Sequence, residues 1–439
     1  MLGIPDPGND WKSLLENIPE PPGGSYFIVG GWVRDLFLLG PRGIRSDIDI
    51  VTPEGLTRWA QSVTGIFGSE LRIEPDFLTA RTAIDFGGLG PVRIDMSQFR
   101  KEVYDSPGVL PRVFPGSRED DLIRRDFTMN AIMLEWSVPQ KRFIRIIDPF
   151  DGRMDLKQSR IRLVRPGSLT EDPTRLLRLV RVSVRLGLRY ADSLQKEVDE
   201  ALSDHLWDSV GPARIAREFE RLLQEPDPLA VLNSLSDSGI LENLTGVRGL
   251  SPPRRLRMRR WNYFRRAVLH SCAGSERERH VFFQEMFYLG LFFGLSRGQF
   301  SKMTGRIGLG EKLKSQVGRC LFDISGWPFQ GFYDGFQKNG KGDEGRMKGV
   351  ADGLSFSQIL LLSLLAPEHD LPFWNHYIEI DRWTPPLLRG EELVRFSGIS
   401  PRQRKGILLE IRMMQRTGKL LDRNDALEWL SQRVSEGFP

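Results

Sequence analysis

Two aspartates separated by one isoleucine, in the stretch RSDIDIVTPE, are the residues best suited to chemistry. The stretch is typical of a β-strand, and because strand side chains alternate faces, Asp47 and Asp49 should point the same way. Neighbouring carboxylates repel each other unless a cation lies between them, and oxygen ligands of this kind suit Mg²⁺ together with substrate phosphates. The pair therefore indicates phosphoryl or nucleotidyl transfer, although a solvated strand end would carry the same letters.

The elements that must position these aspartates belong to a region of alternating strands and helices. Runs such as SYFIVGG, RTAIDFGG and GPVRIDMSQF are typical of strands, and GLTRWAQSVTGIFG is typical of a helix between them. From about residue 168 the apolar spacing becomes helical and strand signals become few. We therefore expect an α/β region followed by an all-α remainder.

Composition and length narrow the class of protein. The chain has 439 residues, enough for two to four domains, and its 62 Lys and Arg exceed its 57 Asp and Glu, which is compatible with a nucleic-acid partner. Cys272 and Cys320 are too few for a disulfide framework or a zinc cluster. The amino-terminal stretch lacks a signal-peptide pattern, and no apolar run reaches the length of a membrane span. We expect a cytoplasmic protein with no membrane partner.

A glycine pair precedes the aspartates in IVGGWVRDLFLLG, residues 28–40. The pattern predicts a strand that ends at Gly30 and Gly31 and leads into a helix. Such a junction lets backbone N–H groups approach a phosphate, and Arg34 would add charge one turn into the helix. Together with the strand of Asp47 and Asp49, this predicts a nucleotide-binding face, although a glycine pair alone marks only a turn.

Five motifs follow one another in a fixed order: GGWVRD, DID, RRDFTMNA, DPFDGRMDLKQSRIRLV and EDPTRLLRLVR. Together they resemble the motifs of class II, bacterial-type tRNA nucleotidyltransferases, a family of the DNA polymerase β-like superfamily that includes bacterial poly(A) polymerases. The resemblance implies an α+β fold, with a mixed-sheet nucleotidyltransferase head over residues 1–165. It implies a helical neck with the nucleotide-selecting motif over 166–250, and an all-α body and tail that bind tRNA over 251–439. The implied activity is template-independent addition of C and/or A, from CTP and ATP, to the 3′ end of tRNA.

The resemblance also implies roles for individual residues. Two Mg²⁺ ions would be held by Asp47 and Asp49, which are the catalytic pair. The triphosphate and ribose would be contacted by Gly30, Gly31, Arg34, Arg125 and Asn130, with Asp35, Arg124, Asp126, Glu171 and Arg178 in support. Asp148 and Gly152 would form a hinge between head and neck, in which Gly152 supplies backbone freedom. The segment GPARIAREFERLL, residues 211–223, resembles a later neck motif, and we expect it to serve packing.

Asp172 and Arg175, in EDPTR, have a chemistry that suits base selection. Thr170, the acids after it and Pro173 predict a helix that starts at about residue 171 and carries both side chains on one face. Because aspartate only accepts and arginine only donates hydrogen bonds, the pair matches a base edge with one donor beside one acceptor. Cytosine and adenine offer that edge, whereas uracil and guanine have the opposite polarity. The alternative is an ordinary ion pair on a helix surface.

The segment RKEVYDSPGVLPRVFPG, residues 100–116, bears on the product. In the family a flexible loop here, opening with a pattern such as Arg100, Glu102 and Tyr104, is associated with the switch to ATP. The loop is of full length, but its Pro-Gly-x-x-Pro sequence differs from the arginine-rich form of complete CCA-adding enzymes and also resembles the loop of A-adding members, so the product stays open. The protein could make the whole CCA end, add only A to a CC end made by a separate enzyme, or be a bacterial poly(A) polymerase. A catalytically inactive RNA-binding scaffold is the alternative from another class, against which the intact DID and EDPTR motifs argue.

Four further stretches have no assigned role. The cluster RRLRMRRWNYFRR, residues 254–266, either grips tRNA phosphates or forms a solvated helical face with an apolar seam. The stretch GPRGIRS, from residue 40, and residues 337–353 are expected to be exposed loops. His369 and Asp370 resemble a metal-dependent phosphohydrolase dyad, but the five histidines form no further set, so we expect no second active site.

Overall fold

The structure is a computed structural model that forms two compact units, Met1–Gly246 and Val247–Pro439. It describes residues 3–22, 24–44, 47–202, 205–247, 250–269, 276–322, 356–365, 374, 377, 386–396, 399–416 and 419–436. Cys272, the 337–353 stretch, and His369 with Asp370 lie outside these residues. None of the helices within these ranges is long and apolar enough to cross a bilayer.

A seven-stranded mixed sheet organises the first unit, with the strand order β3-β4-β5-β2-β1-β8-β9. The central strand β2 runs antiparallel to β1 and parallel to β5. Two smaller two-stranded sheets pair β6 with β7 and β10 with β11. The strands are β1 Ser25–Val29, β2 Ile48–Thr52, β3 Arg72–Glu74, β4 Thr79–Phe86, β5 Gly90–Gln98, β6 Arg100–Val103, β7 Arg112–Pro115, β8 Met133–Ser137, β9 Arg142–Ile147, β10 Arg160–Ile161 and β11 Arg189–Tyr190.

Helices pack around this sheet and continue beyond it. In the first unit they are α1 Asn9–Asn17, α2 Gly31–Leu39, α3 Leu56–Phe67, α4 Arg118–Ile123, α5 Gly152–Lys157, α6 Ser168–Glu171, α7 Thr174–Leu186, α8 Asp192–Ala201, α9 Pro212–Leu223, α10 Pro228–Asp237 and α11 Ile240–Thr245. In the second unit they are α12 Pro252–Leu269, α13 Glu276–Phe292, α14 Arg297–Arg306, α15 Glu311–Phe322, α16 Phe356–Leu365, α17 Gly390–Leu393, α18 Pro401–Arg416 and α19 Arg423–Glu436. The predicted mixed-sheet head with a helical remainder is confirmed for the described residues.

Side-chain alternation places a buried apolar layer on the face of the sheet opposite to Asp49. Ile48 of β2 pairs with Ile94 of β5, and both are fully buried. Trp59 of α3 covers the same core, where its ring lies 5.8 Å from that of Tyr26. The intervening residues Asp49 and Asp95 therefore point to the opposite face. This burial fixes the strand register, and hence which carboxylates stand side by side.

The helix predicted from about residue 171 is divided in two. Helix α6 ends at Glu171, Asp172 is extended (φ −128°, ψ 90°), and α7 begins at Thr174. The cause is Pro173, because a residue that precedes proline is pushed out of the helical region. The prediction that Asp172 and Arg175 share one helical face was therefore wrong, and Thr170 lies inside α6 instead of capping a longer helix.

Several arginines of the 254–266 cluster serve packing within the second unit. Arg257 is buried on α12, donates to the Gly290 and Phe293 carbonyls, and stacks on the Phe293 ring, with its guanidinium 4.6 Å from the ring centroid. Burial lowers the pKa of Arg257 to about 10. Arg260 donates to the Leu364 carbonyl at 2.9 Å. These contacts favour the packing interpretation for both side chains, although Arg259 remains exposed.

Candidate active site

Asp49 lies at the centre of the site, on the middle strand of the sheet. Burial raises the pKa of this carboxyl to about 6, the Arg125 guanidinium opposes the rise, and the Asp95 and Asp47 carboxylates add to it. A carboxylate that is buried among like charges is costly to ionise. The site is therefore arranged to receive a cation.

Asp47 lies immediately before β2, which begins at Ile48, and its side chain is about half exposed. Its Oδ2 accepts a hydrogen bond from Arg93 Nη1 at 3.0 Å. The influence of Asp47 on the pKa of Asp49 places both carboxyls in one electrostatic neighbourhood. The predicted grouping of the two aspartates is thus present, with one of them held by an arginine.

Asp95 is a third carboxylate at this site, and the sequence analysis did not single it out. It lies directly opposite Asp49 in the parallel pairing of β5 with β2. Burial raises the pKa of Asp95, and the Arg81 guanidinium, 3.4 Å away, opposes that rise. The alternation of side chains in GPVRIDMSQ predicts which face of the strand carries Asp95, but only the pairing of β5 with β2 brings Asp95 next to Asp49.

The donor set fits a divalent metal ion. Within the described ranges, no three His, Cys, Asp or Glu side chains form a complete ligand cluster. Mg²⁺ does not need one, because it binds through one or two carboxylates and takes its other ligands from water and substrate phosphates. Asp47 and Asp49 supply such a pair, and a cation would relieve the repulsion between the partly buried Asp49 carboxylate and its neighbouring carboxylates.

Gly30 forms the wall beside Asp49, in the turn between β1 and α2. Its backbone has φ +80°, and a Cβ at this position would lie 2.5 Å from Asp49 Oδ2 and 3.8 Å from Arg125 Nη1. Only glycine meets both the backbone and the space requirement. Gly31 is the first residue of α2, so the helix amino terminus opens beside the carboxylate, as predicted.

We expect Gly30→Ala to abolish at least about 99% of turnover, because displacing a reacting group by about 1 Å costs roughly 10²-fold. Backbone strain alone should cost about 1–3 kcal/mol of unfolding free energy. Gly40→Ala is the matched control, since Gly40 has φ +73° but open space around the added Cβ. Urea unfolding and nucleotide-transfer assays on both variants check this. Similar turnover in the two variants would contradict the role of Gly30.

A chain of hydrogen bonds, buried except at Arg178, links the α2 helix to the neck. Arg34, 3% exposed, donates through Nε and Nη2 to Asp35 Oδ1 and through Nη1 to Asn130 Oδ1. Asn130 donates to Asp126 Oδ1 at 2.9 Å, and Arg178 Nε donates to Asp126 Oδ2 at 2.9 Å. Arg34 therefore orients Asn130, and its guanidinium is buried and hydrogen-bonded within the protein. The predicted contact of Arg34 with the triphosphate stays a prediction.

Asp126 is the junction of that chain. Burial by itself would raise the pKa of Asp126, but the Arg178 charge and the Asn130 hydrogen bond outweigh it and hold the pKa well below its usual value.

Asp126→Asn should cost about 2–4 kcal/mol of unfolding free energy, because it leaves Arg178 without its buried counter-charge. Urea denaturation checks this. Asp105→Asn is the control, because its Arg112 pair is exposed and should be worth less than about 1 kcal/mol.

Helix α4 positions the two arginines of RRDFTMNA. A capping box between Ser117 and Asp120 starts this helix. It places the fully buried Asp121 where Oδ1 accepts from Arg124 Nη2 and Oδ2 accepts from Arg125 Nη2, both at 2.7 Å. Arg125 Nε lies buried without a partner among the described residues. Asp121, which the sequence analysis missed, thus holds Arg125 beside Gly30 and Asp49.

The opening of the 100–116 loop is tied to the same arginines. Glu102 lies 3.3 Å from Arg100 and 3.0 Å from Arg124, and it accepts a hydrogen bond from Tyr104 Oη at 3.3 Å. Burial, reinforced by the Glu102 charge, raises the pKa of Tyr104 to about 12. Burial also lowers the pKa of Arg100 to about 10. The three predicted loop residues therefore meet around Glu102.

Arg175 and Asp172 are each held by hydrogen bonds to neighbouring residues. Arg175 is buried and donates through Nη2 to the Arg124 carbonyl at 2.7 Å, while its Nη1 has no partner within the described ranges. Asp172 Oδ1 accepts from Thr174 Oγ1 and from Arg214 Nη2, both at 2.6 Å. Arg214 lies on α9, in the segment 211–223 that was expected to serve packing, and its hydrogen bond holds the Asp172 carboxylate in place. In the sequence, Arg214 is visible only as an arginine in the first turn of an amphipathic helix, and this pattern does not indicate its partner.

The middle of the loop docks on the neck beside this pair. Gly108, at φ +79°, donates its N–H to the Glu171 carbonyl at 2.9 Å, and its own carbonyl accepts from Arg214 Nη1 at 2.8 Å. Glu171 is also bound by Arg165 at 2.8 Å. Arg214 thus contacts the loop and Asp172 with one guanidinium.

Asp148 and Gly152 join β9 to α5, and the physical reason given for Gly152 was wrong. Its φ is not positive; a Cβ there would lie 2.3 Å from the Thr128 carbonyl oxygen. Close packing, and not backbone freedom, requires glycine. Asp148 accepts from the Gly152 N–H at 2.7 Å and from the Arg153 N–H at 3.1 Å, so it anchors the helix start. The hinge role stays a prediction.

Comparison with known proteins gives a family match within the head and relatives that align with about half of the chain. Residues 26–162 match the Poly A polymerase head domain. An A-adding tRNA nucleotidyltransferase of Halalkalibacterium halodurans is 32% identical over 54% of this chain and 55% of that protein. A CC-adding tRNA nucleotidyltransferase of Deinococcus radiodurans is 33% identical over 46% of this chain and 50% of that protein. The chain thus spans about half the length of these relatives, and the resemblance seen in the motifs is confirmed for the head.

A solved structure of a CCA-adding enzyme in an apo form is similar along nearly the whole chain. It aligns with a TM-score of 0.74 over 96% of this chain and 95% of the other, at 23% identity. Likeness at this identity shows the fold alone. The mixed-sheet head and its helical continuation are therefore shared.

Proposed function

We propose that this chain, whose residues 26–162 belong to the Poly A polymerase head-domain family, adds C, A or both to the 3′ end of tRNA without a template. The observation that carries the proposal is the place of Asp49, which lies partly buried beside the Gly30 turn and within the field of Arg125. A carboxylate, a glycine turn and a fixed arginine are what a nucleoside triphosphate and its metal require.

The metal site of the proposal consists of Asp47 and Asp49, with two Mg²⁺ ions as the expected occupants. When bound, Mg²⁺ would lower the pKa of the RNA 3′-hydroxyl and neutralise charge at the α-phosphate and the leaving pyrophosphate. The protein itself holds the two carboxylates in fixed positions. Gly30 supports Asp49 by leaving its oxygen room, and the β2 register fixes where Asp49 points.

The triphosphate would lie on the β1 side of Asp49. There the amino terminus of α2 presents backbone N–H groups, and Arg125, held by Asp121, adds a positive charge. Asn130 is fixed between Arg34 and Asp126, which prepares its amide for a ribose hydroxyl. These groups are already in place without ligand, so little rearrangement is needed on binding.

Base selection would fall to Arg175 and Asp172, even though they do not share a helix. Arg175 Nη1 is a buried donor without a described partner, and Asp172 keeps Oδ2 while Oδ1 is occupied by Thr174 and Arg214. A donor beside an acceptor matches the edges of cytosine and adenine. A base of the opposite polarity would leave these groups unpaired, at about 1–3 kcal/mol each.

An A-adding enzyme is the second candidate. Two observations favour it: the Pro-Gly wording of the 100–116 loop and the likeness to the A-adding relative. Such an enzyme would act on a CC end made by a separate CC-adding protein. A bacterial poly(A) polymerase would instead extend unrelated RNA with long A tails.

One assay separates these products. Purified protein with Mg²⁺ and each single nucleoside triphosphate is offered tRNA that ends at the discriminator base, at C or at CC. Addition of C to the first and of A to the third supports complete CCA synthesis, whereas A added only to the CC end indicates the A-adding enzyme. Absence of any addition would contradict the proposed function.

A further inference from the structure

We propose that Arg93 exchanges between Asp47 and a phosphate of the RNA strand, so that metal binding and RNA binding strengthen each other. The inference rests on the proposed function and adds to it a residue of the RNA site. Without metal, Arg93 neutralises Asp47; once the metal takes that carboxylate, the guanidinium is released toward the RNA.

The contact between the two residues is suited to exchange. Arg93 Nη1 donates to Asp47 Oδ2 at 3.0 Å, with side chains 61% and 49% exposed, respectively. An ion pair this exposed is weak. A divalent cation, which interacts more strongly with the same oxygen, would displace the guanidinium.

Arg93 lies on the same face of the sheet as the catalytic carboxylates. It is two residues from Asp95 on β5, and Asp95 stands opposite Asp49. Its neighbour on β4 is Ala83, which is too small to cover it. The nearby Asp95 carboxylate lies 3.4 Å from Arg81, and the Arg81 charge acts on it more strongly than the Arg93 charge does, so Arg81 competes with a released Arg93 for Asp95.

The sheet order indicates the side of β2 from which the RNA strand would reach Arg93. The Gly30 turn after β1 and the Asn130 segment before β8 lie on one side of β2, whereas β5 with Arg93 lies on the other. The nucleotide groups occupy the first side. In an in-line displacement the attacking oxygen and the leaving group are on opposite sides of the reacting phosphorus, so the RNA strand would approach from the β5 side.

The exchange has a thermodynamic signature. If the metal frees Arg93 for RNA, metal must raise RNA affinity and RNA must raise metal affinity by the same factor. For one half-exposed ion pair that factor should be roughly 2- to 5-fold. Loss of the guanidinium should also lower the dependence of RNA affinity on salt by about one phosphate contact.

The test compares wild type with Arg93→Gln and Arg93→Lys. Arg145→Gln is the matched control, because Arg145 is also 61% exposed and lies 3.5 Å from a carboxylate, Glu135, at the far edge of the sheet. Fluorescence anisotropy gives the affinity for tRNA lacking its CCA end, with no nucleotide and with or without saturating Mg²⁺. Electron paramagnetic resonance gives the affinity for Mn²⁺ as a probe of the metal site.

We expect Mg²⁺ to tighten RNA binding in wild type and Arg145→Gln by roughly 2- to 5-fold more than in Arg93→Gln, with Arg93→Lys retaining most of the effect. Mn²⁺ should bind tighter to Arg93→Gln than to Arg145→Gln, because its competitor is gone. Equal coupling in the two glutamine variants would overturn the inference. So would a loss confined to nucleotide affinity, measured in parallel with ATP and CTP. Wild type that transfers nucleotides yet shows equal coupling refutes the role of Arg93 alone, whereas failure to transfer refutes the function.

Discussion

Asp49→Asn protein will bind tRNA but add neither C nor A, with turnover reduced roughly 10³-fold or more, because metal assistance supplies several kcal/mol of transition-state stabilisation. The variant should fold at least as well as wild type in the absence of metal. Burial raises the pKa of Asp49 to about 6, so the ionised carboxylate is costly in the folded state and the neutral amide removes that cost.

Three measurements check this expectation: nucleotide transfer, tRNA affinity and the rise of Tm on addition of Mg²⁺. Wild type should gain stability with Mg²⁺, and Asp49→Asn should not. Asp85→Asn is the control, because Asp85 lies exposed on β4 of the same sheet. Near-wild-type turnover in Asp49→Asn would remove the proposed mechanism, and we expect Asp47→Ala to abolish transfer in the same way.

The second large effect concerns choice of nucleotide. Asp172→Ala should lower kcat/KM for CTP and ATP by about 10- to 100-fold, because the acceptor for the exocyclic amine is lost. UTP and GTP should lose less, because they no longer face a repulsive acceptor, so discrimination should fall further than activity. Arg175→Ala should act in parallel, and the double variant should cost less than the sum because both groups bind one base edge.

Arg214→Gln separates base selection from local packing. Asp172 also holds Thr174 and Arg214, so Asp172→Ala disturbs the neck as well as the acceptor. Arg214→Gln removes the ion pair and leaves the Asp172 carboxylate in place. If the glutamine variant alone reproduced the whole loss of selectivity, Asp172 would act only as a structural partner. Unchanged selectivity of Asp172→Ala over UTP and GTP would contradict the account directly.

Local patterns in the sequence predicted part of the site. The DID strand, the Gly30 turn and the order of the motifs are short-range features, and the head family and mixed sheet that they predicted are confirmed. Asp95 was missed because its place beside Asp49 depends on parallel pairing of strands that are distant in sequence. Asp121 and Arg214 were missed for the same reason, since each acts through a partner that only tertiary structure brings near.

Two errors came from residues whose local effect was misread. Pro173 was read as tolerated within a first helical turn, but its stronger effect falls on Asp172, which leaves the helical region. Gly152 was read as a flexible turn residue, but a Cβ would clash with the Thr128 carbonyl. Proline and glycine thus signal a constraint in the sequence, while the neighbour that imposes it appears only in the fold.

The central claim is that the protein itself selects and transfers C or A to RNA, and competition among the four nucleotides tests it most directly. Wild type is incubated with Mg²⁺, tRNA ending at CC and an equimolar mixture of ATP, CTP, GTP and UTP, and the added nucleotide is identified by mass spectrometry. The account predicts addition of A, no G or U, and loss of all addition with EDTA. Incorporation of G or U at rates comparable to A, or no incorporation of any nucleotide, would contradict it.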